Sequence, residues 1–325
     1  MADSKPCPIC HAKTFLPTGK KADIVDVLDR WEAATSVRFP DDVRETYSRE
    51  RFPDITLWSC QTCGFGRFDP PCAGDAGFYE AISAQDYYVH DKWEFELAIE
   101  DLDRVGARRV IDVGCGSGAF IRLLRQSRPA LEVEGYEITP VLVESLRAQG
   151  VKMLTGTLDE VTRTSSSIPP FDAVCMFQVL EHTPDPVAFF DTFAPLVRRG
   201  GWIIVSTPDE GGPISEFWNA LTELPPHHVS KWTEAAYRTL LEERGFRVER
   251  VRREPLADYL WDSYLPPLWD KGIWPSLIFD PAARSRNMTE LNDRVRFGIN
   301  CLKAAGLKRL PDVPGHTIYV LAQRI

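Results

Sequence analysis

The chain has 325 residues, a net charge of −9 and a pI near 5.3. This acidic balance, with no dense basic stripe, disfavours a polyanionic partner such as nucleic acid. No apolar run reaches the roughly 18 residues that a membrane-spanning helix needs, and the first residues lack the apolar core of a secretory signal. We therefore expect a cytoplasmic protein without a membrane partner, and its oligomeric state is left open.

The first 75 residues are predicted to form a zinc-ribbon-like module with a helical insert. They contain two Cys-x-x-Cys pairs, Cys7/Cys10 and Cys60/Cys63. Such pairs fit a tetrahedral zinc site, because each short turn supplies two thiolates and four thiolates complete the shell of a structural ion. A metal-free module with reduced thiols is the alternative. Between the pairs, the patterns predict two helices and a strand, over 23–34, 41–50 and 56–59.

Aromatic residues are concentrated in two further segments of the chain. Residues 76–105 are predicted to be a helical connector. Residues 255–315 are too long and too aromatic for a simple turn, so they are predicted to form a helical insertion or lid. We expect some of the lid's aromatic side chains to close over a substrate and exclude water.

Strand and helix patterns alternate through residues 106–254 and end in a last strand within 316–325. Repeated β-α units of this length predict an α/β fold with a Rossmann-like, doubly wound, mostly parallel sheet of seven strands. The strands are predicted over 109–113, 133–137, 152–154, 172–177, 202–206, 247–251 and 317–323. The helices are predicted over 120–126, 140–148, 186–197 and 234–243.

The first strand of this series leads into a glycine-rich turn, Asp112-Val-Gly-Cys-Gly-Ser-Gly118. Its glycines let backbone approach a ligand closely, and their spacing differs from the G-x-G-x-x-G of dinucleotide sites. Glu137 stands at the end of the second strand, where a carboxylate can accept hydrogen bonds from a ribose diol. The turn and the acid together predict a site for a nucleoside-containing cofactor.

Further motifs follow at the ends of later strands. They are Phe171-Asp-Ala-Val174, Gln178-Val-Leu-Glu-His182 and Gly200-Gly-Trp-Ile-Ile-Val-Ser-Thr-Pro208. Together with the glycine turn and Glu137, this ordered set resembles the class I S-adenosylmethionine-dependent methyltransferases, including the ubiquinone-pathway O-methyltransferases. The resemblance covers about residues 105–254 and the last strand.

The resemblance implies S-adenosylmethionine as the cofactor and a role for each matching residue. The implied contacts are the backbone of Gly114, Gly116 and Gly118 at the methionine part, Asp112 at its ammonium group, Glu137 at the ribose hydroxyls, Ile138, Thr157 and Leu158 around the adenine, and Gln178 at the methionine end. Many members carry an aspartate at the adenine pocket, and Asp159 is slightly displaced from that position.

The paired cysteines also resemble those of the nucleotide-sugar C-methyltransferases, which join an N-terminal zinc module to a methyltransferase core. In those enzymes an N-terminal tyrosine and core histidines face the substrate, which points to Tyr88 and His182 here. Their Tyr-x-Glu-His run is replaced by Pro225-Pro-His-His228. A neutral imidazole suits proton removal near pH 7, so His182 and His228 are the candidate bases, and His227 is expected to be positional.

These observations predict methyl transfer to a small-molecule acceptor, such as a sugar, a nucleotide-linked sugar or a natural-product intermediate. Whether carbon, oxygen or nitrogen accepts the methyl group is left open. RNA methylation is an alternative, since some RNA methyltransferases carry zinc modules, although the acidic charge disfavours it. A non-catalytic binding protein that retains the fold is a second alternative.

Overall fold

A computed structural model describes residues 4–83, 92–270 and 288–325. Its strands are β1 (Phe15–Ala22), β2 (Ile55–Cys60), β3 (Gly66–Asp69), β4 (Arg109–Val113), β5 (Glu132–Tyr136), β6 (Lys152–Leu154), β7 (Phe171–Phe177), β8 (Val197–Pro208), β9 (Ser230–Lys231), β10 (Phe246–Ala257) and β11 (Arg309–Arg324). Its α-helices are α1 (Ile24–Ala34), α2 (Asp41–Thr46), α3 (Ala76–Ser83), α4 (Trp93–Arg104), α5 (Ala119–Ser127), α6 (Pro140–Ala148), α7 (Leu158–Thr164), α8 (Pro186–Phe193), α9 (Glu234–Glu243), α10 (Trp261–Asp270) and α11 (Met288–Ala304). Among these described helices, none is both long and apolar enough to cross a bilayer.

The larger sheet has seven strands in the order β10-β11-β8-β7-β4-β5-β6. Strands β4 to β8 run parallel, and β11 lies antiparallel between β8 and β10. Ile111 and Val174 belong to one hydrophobic core, while Val110 and Ala173 belong to a second. Apolar side chains therefore project from both faces of the central strands, as is typical of a sheet covered on both faces. The predicted Rossmann-like α/β fold is confirmed.

The smaller sheet joins the N-terminal module to the rest of the chain. Its order is β1-β2-β3-β9, and β9 comes from the part of the sequence predicted to belong to the core. The Phe65 ring meets the Trp232 ring edge-on, with centroids 5.0 Å apart, and Trp232 is completely buried. The predicted boundary at residue 75 is thus bridged by backbone pairing and by aromatic packing.

Two helices are shorter in the structure than predicted, and for one of them a proline is the cause. The helix predicted over 186–197 ends at Phe193 and continues only as a short 3-10 turn. Pro195 lacks a backbone N–H and clashes with the preceding turn, which stops an α-helix. Residues from Val197 onward pair with β7 instead. The helix predicted over 41–50 ends at Thr46.

The last two strands are longer than predicted and form an antiparallel hairpin that extends beyond the parallel strands. Leu256 and Ala257 pair with Leu310 and Arg309 at its far end. The insertion between β10 and β11 contributes α10 and α11, with a small core of its own. The middle of the predicted insertion lies outside the described residues. This hairpin carries side chains to the carboxyl ends of the parallel strands, where the cavities described next are found.

Candidate functional site

Two cavities lie at the carboxyl ends of the parallel strands. One has a volume of about 290 Å³ and contains Glu137 in its wall, and the other has a volume of about 350 Å³ and contains the predicted catalytic histidines. Four residues line both cavities: Gly114, Gly116, Gln178 and His182. A ligand that fills the first cavity can therefore present one end to the second.

The glycine turn shapes the boundary between the cavities. Gly114 has a φ of 72°, and a Cβ atom there would lie 2.5 Å from Val179 Cγ2. Gly116 has a φ of 51°, and its N–H donates to Glu137 Oε2 at 2.9 Å. Both positions favour glycine because left-handed backbone is costly for other residues. The hydrogen bond fixes the turn to the end of β5.

Gly118 lines neither cavity. It precedes α5 with a φ of 77°, and a Cβ atom there would lie 2.4 Å from Leu146 Cδ2. Its expected cofactor contact stays a prediction, while its observed contribution is the close packing of α5 against α6. Thr157 is also outside both linings, and its hydroxyl caps α7 by accepting a hydrogen bond from Glu160 N.

The smaller cavity brings together three residues that were predicted around the nucleoside. Glu137 Oε1 accepts hydrogen bonds from the N–H groups of Ile138 and Thr139, both at 2.9 Å. Ile138 is 59% exposed, and Leu158 lines the same cavity. The wall therefore combines an oriented carboxylate with apolar surface, a pairing that suits a ribose and a flat base.

Asp112 lines the larger cavity, and Gln178 lies at the boundary between the two cavities. Burial raises the pKa of Asp112 to about 7, with a further rise from Glu137 and an opposing effect of Lys92. Gln178 has a φ of 53°, and its Nε2 donates to Glu94 Oε1 at 3.0 Å. The strained backbone and the buried partner hold the amide group against the cavity.

Three histidines meet in the larger cavity. The ring centroid of His182 lies 4.7 Å from that of His227 and 4.8 Å from that of His228. His182 Nδ1 lies 2.7 Å from the carbonyl oxygen of His227 and 2.9 Å from the Tyr79 hydroxyl. His227 Nδ1 lies 2.8 Å from the carbonyl oxygen of Thr222. We call His182, His227 and His228 the histidine cluster.

A buried ion pair, Glu223 and Lys231, lies next to the histidine cluster. Glu223 is completely buried, its Oε1 lies 3.2 Å from His228 Nδ1, and its Oε2 lies 2.5 Å from Lys231 Nζ. Burial opposes ionisation of this carboxyl, but Lys231 and His228 together hold its pKa well below the ordinary value. Burial also lowers the pKa of His182 to about 3 and lowers that of His228. Near pH 7 these rings are neutral imidazoles.

Charged side chains from the β10–β11 hairpin and from α4 face the same cavity. Glu94 and Glu254 are each 3% exposed, and Arg309 and Lys92 are the cations of this lining. Burial raises the pKa of Glu254 to about 7. Such a wall offers both hydrogen-bond donors and acceptors to a polar substrate.

Several of these residues were missed by sequence reasoning. Tyr88, the predicted tyrosine, lies outside the described residues, and Tyr79 is the tyrosine that contacts His182. His316 also lines the cavity. Glu223 and Lys231 flank the Pro-Pro-His-His run, so their proximity in sequence was a usable signal. Nothing in the sequence near Tyr79 pointed to the histidines.

The four predicted zinc ligands form a second cluster, and none of these four residues lines either cavity. The Sγ atoms of Cys7 and Cys63 are 3.7 Å apart, and those of Cys10 and Cys60 are 3.5 Å apart. Thiolates around a tetrahedral zinc ion lie about 3.8 Å from one another, as Zn–S bonds of about 2.3 Å require. The contact with Cys63 lowers the pKa of Cys7 to about 5. The spacing and a thiolate-prone member fit zinc.

Comparison with known proteins points to one family. The sequence matches a methyltransferase domain family over residues 88–251. It is 29% identical to a trans-aconitate 2-methyltransferase of Mycobacterium ulcerans over 176 residues, which are 53% of this chain and 59% of that protein. It is 34% identical to a ubiquinone biosynthesis O-methyltransferase of Xylella fastidiosa over 103 residues, 30% of this chain and 41% of that protein.

The chain spans about half the length of these curated relatives. Among solved structures, a SAM dependent methyltransferase from Archaeoglobus fulgidus aligns with 71% of this chain and 94% of its own, at 18% identity and a TM-score of 0.46.

Proposed function

This chain belongs to the S-adenosylmethionine-dependent methyltransferase family, and from that premise we propose that it methylates a small-molecule acceptor held in the larger cavity. The observation that carries the proposal is the boundary shared by the two cavities. Gly114, Gly116, Gln178 and His182 line both of them, so a donor in one meets an acceptor in the other.

The residues around the smaller cavity supply the contacts that this donor needs. Glu137 accepts hydrogen bonds from the ribose hydroxyls, and Ile138 and Leu158 cover the base. Asp112 holds the ammonium group, directly or through water, at the neighbouring end of β4. When bound, S-adenosylmethionine supplies a methyl carbon whose bond to sulfur breaks as the acceptor atom bonds to it. The shared boundary would hold the acceptor next to the bound donor.

Removal of the acceptor's proton falls to the histidine cluster. His182 and His228 are both neutral near pH 7 and can each accept a proton. His228 is the stronger candidate, because the ionised carboxylate of Glu223 lies 3.2 Å from its Nδ1 and stabilises the imidazolium that forms. The carboxyl group paired with His182 is farther away, because Glu181 Oε1 lies 4.0 Å from its Nε2.

The acceptor we propose is a sugar, a nucleotide-linked sugar or a hydroxylated natural-product intermediate. Glu94, Glu254, Arg309 and Lys92 surround the histidines with groups that bind hydroxyls. We also propose that Cys7, Cys10, Cys60 and Cys63 hold a structural zinc ion in the N-terminal module.

The cofactor half of this proposal is tested by calorimetry with S-adenosylhomocysteine. Glu137→Ala removes two hydrogen bonds between a charged acceptor and the ribose, each worth about 1.5–3 kcal/mol. We expect the dissociation constant to rise by at least about 100-fold. Glu144→Ala, on the exposed face of α6, is the matched control and should leave the affinity unchanged. Equal affinities in all three proteins would refute the assigned site.

The acceptor half is tested with S-adenosylmethionine and pooled acceptors. Sets of free sugars, nucleotide-linked sugars and hydroxylated natural products are incubated separately, and the release of S-adenosylhomocysteine is measured. Turnover above the acceptor-free rate in one set supports the proposal. A protein that binds the cofactor yet turns over none of the sets would instead be a binding protein with this fold.

A further inference from the structure

The histidine cluster has a second property that proton transfer does not use. One ligand nitrogen from each of His182, His227 and His228 lies within 4.8 Å of those of the other two. Nitrogens around a tetrahedral zinc ion lie about 3.4 Å apart, given Zn–N bonds of about 2.1 Å.

Oxygen atoms beside the rings determine which nitrogen carries the proton. Carbonyl oxygens only accept hydrogen bonds, so the Nδ1 atoms of His182 and His227 donate to the carbonyl groups of His227 and Thr222. For His228, Oε1 of Glu223 lies 3.2 Å from Nδ1, and a carboxylate oxygen at that distance favours the tautomer with the proton on Nδ1. In a neutral imidazole with a proton on Nδ1, Nε2 holds the lone pair. Each ring thus offers a ligand atom.

This arrangement is the one that histidine metal ligands require. Metal-bound histidines donate their other ring N–H to a carbonyl or a carboxylate, which fixes the orientation of the ring. Here the rings of His182 and His227 donate to carbonyl oxygens, and Glu223 Oε1 lies 3.2 Å from the Nδ1 atom of the third ring. Sites with three histidines keep an open position for water or substrate, and the 350 Å³ cavity provides the space for it.

We propose that His182, His227 and His228 bind one divalent transition-metal ion through one ring nitrogen each, with the open position facing the larger cavity. Imidazole ligands favour zinc, cobalt, nickel and iron over magnesium and calcium. The cavity is the acceptor site of the proposed function, but binding of the ion does not depend on methyl transfer. A metal-bound imidazole cannot also accept a proton, so the ion and a histidine base exclude one another.

The test starts from protein that holds one zinc ion per chain, at the cysteines, then adds Co²⁺ and follows visible absorption, with zinc and cobalt counted by mass spectrometry. We expect one added cobalt per chain with d–d bands and without the near-ultraviolet band of thiolate ligands, because the cysteines keep their zinc. His227→Ala and His182→Gln should each weaken cobalt binding by at least about tenfold. His11→Ala is the control, since the side chain of His11 is 72% exposed and lines neither cavity.

The outcomes separate cleanly. No added cobalt, cobalt that appears only with the thiolate band, or equal binding by all variants would overturn the proposal. Circular dichroism and S-adenosylhomocysteine affinity, measured on the same samples, show whether a variant is folded. Tyr79→Phe, which removes only a hydroxyl 2.9 Å from His182 Nδ1, gives a milder second variant and should weaken cobalt binding. Failure of the proposed function would appear as lost S-adenosylhomocysteine binding, whereas failure of the metal site would not.

Once an acceptor is identified, the effect of the ion on turnover tests the histidine base separately. If a free imidazole accepts the proton, loading with cobalt lowers the rate and a chelator that spares zinc restores it. If loading raises the rate, the histidine base is wrong, while the metal site stands.

Discussion

The cysteine cluster and the histidine cluster are both groups of metal-binding side chains, but they differ in what surrounds them. Three of the four cysteines are buried, and the four together offer a complete tetrahedral shell. The three histidines line a cavity of about 350 Å³ and leave room for another ligand. A closed shell suits an ion that stabilises structure, whereas an open one suits chemistry.

The difference extends to how each cluster is assembled. Both cysteine pairs come from tight turns, and each pair spans only four residues. The histidine cluster joins the end of β7 to the run before β9, and Tyr79 reaches it from α3. Local turns therefore make each half of the first cluster, whereas the packing of distant elements brings together every member of the second.

The largest effect we expect concerns the closed cluster. Cys60→Ser replaces a buried thiolate by a poor zinc ligand, and binding of structural zinc contributes about 10–16 kcal/mol in zinc-finger peptides. We expect loss of the zinc and unfolding of the N-terminal module, measured by metal content and thermal denaturation. Cys301→Ser, at an exposed cysteine, should change neither. Full stability of zinc-free protein would show that the closed shell is not structural.

The open cluster should respond in rate rather than in stability. His228→Asn removes the proposed base, and general-base catalysis is worth about 10²–10⁴-fold. We expect kcat to fall by about that factor, with the affinity for S-adenosylhomocysteine within a few-fold of the original. His182→Asn should cost less, because burial lowers the pKa of His182 to about 3 and makes it a weaker base. A larger loss for His182→Asn would reverse the assignment.

Cofactor binding beside the open cluster should depend on pH. Burial raises the pKa of Asp112 from 3.8 to about 7 in the empty site, and the bound ammonium group favours its ionised form. Affinity for S-adenosylhomocysteine should therefore increase as the pH rises towards 7 and level off above it. Asp112→Asn should bind weakly at every pH with a flatter profile, as calorimetry between pH 5.5 and about 8.5 would show.

The same shift predicts how the empty protein's stability changes with pH. The folded-state pKa of Asp112 lies above the ordinary value of 3.8, so the folded protein binds this proton more tightly than the unfolded chain does. Proton binding therefore stabilises the fold, and this contribution is complete below pH 3.8. The contribution is lost as the pH rises through about 7. In the absence of cofactor, Asp112→Asn should raise the melting temperature more at pH 8 than at pH 5. The reverse order would contradict a buried, protonated Asp112.

The smallest effect concerns the third glycine of the turn. Gly118→Ala places a Cβ atom 2.4 Å from Leu146 Cδ2, and overpacking of this kind costs about 1–3 kcal/mol. We expect a lower free energy of unfolding and little change in S-adenosylhomocysteine affinity, since Gly118 lines neither cavity. Gly114→Ala, at the shared boundary, should reduce the affinity as well. Equal losses of affinity would place Gly118 in the cofactor site.

Much of the fold could be predicted because its signals are local. The bounds predicted for α6, from Pro140 at its start, and for α9, from its 3.6-residue periodicity, agree with the structure to the residue. Strand β1 was missed, since its apolar residues do not alternate with polar ones and it includes Pro17 and Gly19. Its partner β2 lies about forty residues away, and only that pairing makes the segment a strand.

The sequence by itself determined the parallel sheet, the glycine turn with Glu137, and the paired cysteines. Each is encoded within a few residues, where periodicity, glycine spacing and turn geometry act directly. The tertiary structure alone decided that Tyr79, His182, His227, His228 and Glu223 meet around one cavity. These contacts join residues up to 148 positions apart, and no local pattern records such a meeting. It depends on how the N-terminal module, β7 and the segment before β9 pack together.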